Sequence, residues 1–231
     1  MVIGVLVAAG ILGIIVFALL LIFRKDLLGV DLSARSLLRL YLYLASLAAV
    51  MVFAIGAATA FDWGMARTFG GEAVYGRPAV AQLCPTGEKC VDPAQLRLQY
   101  QHEREQREQE DLLRGATLAV FGAAFWGGHR LARARMGDAS EALSALQRAY
   151  NVLGTFVFGV GTVILLPVGM YHVLYVTLLQ PSPDVFAQGV GDSLSGGILA
   201  AAFWLVYLLR VVSAVRAETS PTMTIQVGAA T

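Results

Sequence analysis

Residues 2–23 read VIGVLVAAGILGIIVFALLLIF, with no charged side chain until Arg24 and Lys25. A helix rises about 1.5 Å per residue and the hydrocarbon layer is about 30 Å thick, so about 20 apolar residues make one crossing. The stretch lacks the basic n-region of a secretory signal. Arginine and lysine stand where a small-residue cleavage site belongs, so it reads as a retained span. Glycines from Gly4 to Gly13 suit it to packing closely on another helix.

The rest of the chain repeats the theme. Of 231 residues, 57% are hydrophobic and 14% charged. A soluble domain carries roughly 25% charged residues, and this chain has too few to coat a globule. Four further apolar blocks read as spans: about 40–61, 112–131, 150–179 and 194–212. The third is short, with Arg114 and Arg130 near its ends, whose stems can reach the headgroups. The fourth is long enough to tilt, and Pro167 is expected to kink it. The expectation is an all-α, polytopic membrane bundle of five helices over residues 1–216, an insertion at 62–111 and a tail at 217–231.

Basic residues orient the spans. Arg24, Lys25, Arg35 and Arg39 join the first two; Arg130, Arg133, Arg135 and Arg148 join the third and fourth; the tail adds Arg210 and Arg216. Residues 180–193 carry no lysine or arginine. All of this agrees with an N-terminus outside and a C-terminus inside. The inner segments then sum to +5 (ten basic, five acidic residues) and the outer to −4 (seven basic, eleven acidic). An anionic inner leaflet favours that balance. The location expected is the cell (inner) membrane, with 62–111 extracytoplasmic. A net charge of +1 and no basic stripe give no case for nucleic acid.

Two hairpins look alike. Arg39-Leu40-Tyr41 opens the second span and Arg148-Ala149-Tyr150 the fourth; Ala123-Ala124-Phe125-Trp126 lies in the third and Ala201-Ala202-Phe203-Trp204 in the fifth. Both hairpins run inside to outside to inside, so the repeats would be parallel, related by an axis along the membrane normal. Two readings stand side by side: duplication, or aromatics collecting at interfaces among common alanines.

A basic residue before an aromatic-rich helix start, then Trp126, His129, Arg130 and Arg133, resembles a family of bacterial multi-pass membrane proteins known as a domain of unknown function. The likeness covers the second through fourth spans and extends toward the fifth, where Tyr207 stands in place of the histidine. The resemblance implies architecture and no assigned activity.

In the insertion, Cys84 and Cys90 bracket Pro85-Thr86-Gly87. On an oxidising face, two cysteines this close are expected to form a disulfide. They lack the C-x-x-C-H of a c-type haem and the histidines of a zinc site. Asp92 as cap, Pro93 at the first helical position and Gln95 then start a helix. Glu103 with Arg107, Arg104 with Glu108, and Glu110 with Arg114 are spaced to meet on its surface. Nothing interrupts it before the third span, so one helix of about 37 residues, roughly 55 Å, is expected. Its alternating charge reads as a solvated face. The sharper reading is a docking post for a partner, with Leu96, Tyr100, Arg104 and Arg107 as its contacts.

Between their interfacial ends these spans contain no Asp, Glu, Lys or Arg. Ion and proton pathways usually declare themselves by such residues. His129 and His172 fall at opposite faces and His102 in the outer helix, so no paired ligation of a cofactor is expected. No catalytic, cofactor or metal site is expected. The reading that follows is a non-catalytic subunit among other membrane subunits in the bilayer. The alternatives are a transporter or channel component for a neutral or hydrophobic solute, and a redox anchor.

Overall fold

The computed structural model describes residues 34–77, 93–136, 145–179 and 187–219. The first apolar run at 2–23, Cys84 and Cys90 lie outside the described residues, as does the tail from residue 220. The described chain is helical: α1 is Ala34–Phe69, α2 Gly71–Tyr75, α3 Pro93–Met136, α4 Ala145–Leu179 and α5 Gly191–Thr219. One two-residue ladder interrupts this, with β1 (Gly76–Arg77) antiparallel to β2 (Ala187–Gln188). Among the described residues three helices, α1, α4 and α5, are long and apolar enough to cross a membrane.

The helices overrun the spans read from hydropathy. α1 continues past Phe61 to Phe69, so Asp62 and Trp63 lie two turns inside it rather than at its exit. No glycine pair or proline stops it before Gly70-Gly71. Gly70 has φ 91°, a conformation that a side chain would strain, and its N–H bonds the Ala66 carbonyl at 3.0 Å. The first eight residues of the stretch read as insertion, 62–69, are thus helical. α3 is one helix of 44 residues opening at Pro93, longer than expected because it runs on through Arg133 and Arg135. At about 66 Å it is more than twice the hydrocarbon thickness. α4 passes through Pro167 as one helix, and α5 carries on to Thr219, into the segment read as tail.

α1 and α3 pack antiparallel with little between their backbones. A Cβ on Gly56 would collide with the backbone of Ala119, Gly115 and Leu118. One on Gly115 would meet Ala60, and one on Gly122 would meet Phe53. Positions 115, 119, 122 and 126 step by four, three and four, the seam spacing of helices crossing at a shallow angle. α4 and α5 form a second close pair, with Gly197 against the backbone of Leu165 and Leu166 and Gly169 against Ser193 and Leu194. Between the pairs lies the core: Tyr43, Leu47, Val50 and Ala54 of α1, Tyr150, Leu153, Val157 and Phe158 of α4, and Ala200 and Tyr207 of α5. Trp126 and Trp204 pack against it. The outward faces stay apolar, as Leu113, Val120 and Phe125 of α3 and Val163 of α4 illustrate. That inversion is expected of helices solvated by lipid.

Gly56→Ala should force α1 and α3 apart and lower stability by about 1–3 kcal/mol, the usual cost of overpacking. Gly127→Ala, where nothing lies within 4 Å of the added methyl, should leave it unchanged or slightly raised. Thermal unfolding of both variants in the same detergent compares them; equal melting temperatures would contradict the seam.

Candidate functional site

Polar side chains gather at the two ends of the bundle. The insertion end is built where α1 finishes and α5 begins. The β1–β2 ladder ties the stretch after α2 to the one before α5, and the Val190 N–H bonds the Ala73 carbonyl at 3.0 Å. Gly189 and Gly191 back onto Val74, a fit that any side chain would disrupt. This closure buries Asp62, which is only 5% exposed. Its Oδ1 lies against Gly191 and has no hydrogen-bond partner. Ser195 is its polar neighbour, and the charges of Asp192 and Asp111 reach it. The extended α1 thus carries Asp62, which hydropathy sets at the exit of the span, into the packed end of the bundle.

Asp111 of α3 and Tyr75 of α2 complete this end. Burial pushes the Asp111 carboxyl above its ordinary range; the Tyr75 hydroxyl and Arg114 oppose the shift, and Asp192 and Glu110 add to it. Burial pushes the Tyr75 phenol up as well, helped by the Asp111 charge. The Tyr75 hydroxyl lies beside the Asp111 carboxyl. Around the rim, Arg104 Nη1 pairs with Glu72 at 3.3 Å and Arg67 Nε with Glu108 at 3.8 Å. These pairs reach from α3 across to α1 and α2 and seat the base of the polar half of α3.

Of the predicted docking residues, Arg104 is therefore engaged inside the protein, Tyr100 is half-buried and Arg107 is exposed. Leu96 lies near the start of α3.

The opposite, arginine end joins the two helix pairs. The Arg133 guanidinium of α3 lies 4.6 Å from the ring centre of Tyr43 and 5.2 Å from that of Tyr150, and donates to Ser46 Oγ at 3.2 Å. The Tyr150 and Tyr207 hydroxyls share a hydrogen bond of 2.7 Å, and Arg210 lies over the Tyr207 ring at 5.8 Å. Phe158 stacks on Tyr207 and on Phe203. One chain of contacts, Tyr43–Arg133–Tyr150–Tyr207–Arg210, thus links all four long helices. Sequence reading noted Arg133 and Tyr207 only as parts of a pattern; the signal available was one tyrosine or arginine near the same end of each helix.

The histidines do not converge. His129 Nδ1 lies 2.6 Å from the Phe125 carbonyl oxygen and its ring is next to Tyr41; His102 is exposed beside Gln106; His172 of α4 sits against Tyr171 with its Nδ1 buried and unbonded. Among the described residues, no group of three or more His, Cys, Asp or Glu is placed to hold a metal ion. Comparison with known protein families, with curated proteins and with solved structures returns no match for this chain.

Tyr150→Phe and Tyr207→Phe should each destabilise the protein, by about 1–3 kcal/mol, because each strands one buried hydroxyl. The double variant, apolar on both sides, should be more stable than either single one, and a double-mutant cycle in detergent reads the coupling.

Asp111 sets a pH dependence. Its raised folded pKa means that its contribution to stability is fully present below the unfolded carboxylate value of about 4. That contribution is lost as pH rises through the folded value. Asp111→Asn should flatten this part of the stability–pH curve; an unaltered curve would remove Asp111 from the account.

Proposed function

We propose that this chain is a non-catalytic structural or accessory subunit of a larger membrane assembly, seated in the cell (inner) membrane. The observation that carries the reading is the interface between its two helix pairs. Val157 and Phe158 are fully buried there, and Tyr43 meets Tyr150 and Phe53 meets Phe203 across it. A transporter for a neutral solute needs a wet path between the pairs, and this packed seam weighs against one. The partner surface in this reading is the polar half of α3. It extends about 17 Å beyond Arg104 toward Pro93 with Leu98 exposed on it, and Arg107 is exposed one turn to the other side.

The proposal includes five spans, an outside N-terminus, an inside C-terminus and an extracytoplasmic insertion. Support for α3 as a span comes from depth: Gly115 and Gly122 pack on Ala60 and Phe53, inside the apolar part of α1. We further propose that the two helix pairs arose by duplication. Setting Tyr41 over Tyr150 and Trp126 over Trp204 fixes a register, and three contacts agree with it. Tyr41 meets His129 as Tyr150 meets Tyr207. Gly56 meets Ala119 as Leu165 meets Gly197, and Ala60 meets Gly115 as Gly169 meets Ser193.

Extraction from native membrane in mild detergent, followed by mass, composition and visible spectrum of the particle, tests the reading. A defined larger complex is expected. Tyr100→Ala combined with Arg107→Glu should release its partner without lowering the melting temperature of the chain. A colourless particle of this chain alone would sink the subunit reading and favour transport; a Soret band would favour the redox anchor.

A further inference from the structure

We propose that the arginine end is a binding site for the phosphate of an anionic phospholipid. Two guanidinium groups, Arg133 of α3 and Arg210 of α5, converge on one buried tyrosine: the charges of both reach the Tyr207 hydroxyl. Neither is paired with a carboxylate among the described residues. Like charges held near each other against apolar walls repel, and among the described residues no carboxylate pairs with either to offset the repulsion.

Arg133 also does not behave as a side chain reaching for water. A long basic residue at a membrane interface usually extends its head outward. Here Ser46 and the faces of Tyr43 and Tyr150 hold the guanidinium inward. Its Nε is buried with no hydrogen-bond partner. A guanidinium held in a fixed orientation is the form that binds phosphate oxygens with directional bonds. The tyrosine scaffold is rigid, since Tyr43, Tyr150 and Tyr207 are all buried and the last two are bonded to each other.

The surroundings select a lipid rather than a free anion. Arg210 stands on α5 one turn from exposed Val206 and next in the chain to exposed Leu209, which offer a surface for acyl chains near the charge. Basic pockets between helices on the inner side of a membrane hold anionic headgroups in this way.

The test uses the full chain in neutral detergent. Phosphatidylglycerol and phosphatidylcholine of identical acyl chains are added separately, and inorganic phosphate in a third arm. Retained lipid is counted by native mass spectrometry, alongside the melting temperature. Phosphatidylglycerol should be retained in preference and should raise the melting temperature. Arg133→Gln and Arg210→Gln should each weaken retention, by about fivefold per arginine removed. Arg210 is exposed, so its variant keeps the test intact if Arg133→Gln does not fold. Equal retention of both lipids, unchanged retention in the variants, or a full effect from inorganic phosphate alone would overturn the assignment.

Discussion

Helices inside lipid gain nothing from hiding apolar surface from one another, because the surrounding chains are as apolar as leucine. Association has to come from close contact, and here the contact is backbone on backbone. Gly56, Gly115 and Gly122 remove the side chains that would hold α1 and α3 apart. α3, outside the set of helices apolar enough to cross by themselves, is thereby seated along a helix that is. The remaining geometry depends on that seating. It brings Arg133 beside Tyr43 and Ser46 at one end, and Asp111 beside Tyr75 at the other.

The two ends solve opposite problems. At the arginine end, aromatic faces and a hydroxyl pair receive the charge, and the same residues join one helix pair to the other. At the insertion end, short segments close over Asp62 with glycine-tight contacts, and the charges of Asp192 and Asp111 reach it. The first arrangement draws an anion; the second favours the neutral acid at Asp111. Between them the core is hydrocarbon and aromatic ring.

Hydropathy and turn chemistry made much of the architecture legible. The apolar blocks at 40–61, 150–179 and 194–212 each became a helix, and Pro93 marked the start of α3. The unbroken stretch after Pro93 was readable because it holds no proline or helix-ending glycine before the apolar part. Helix ends were not legible from hydropathy, since a helix can continue into polar sequence when tertiary contacts satisfy it. Asp62 is the instructive case. After an apolar run an aspartate looks like the water boundary, yet Met65, Ala66 and Val74 pack around that turn and keep it inside.

Periodicity and composition act residue by residue along one chain, so the sequence determined that these segments are helices and that their faces are apolar enough for lipid. It could not fix which helices touch, because small residues in every span permit close packing with several partners. The pairings of Gly56 with Ala119 and of Arg133 with Tyr43 and Tyr150 were decided only when four helices competed for the same space. Burial of Asp62 and convergence of two arginines on one tyrosine belong to that packed arrangement, where distance and dielectric, rather than order along the chain, set the energy.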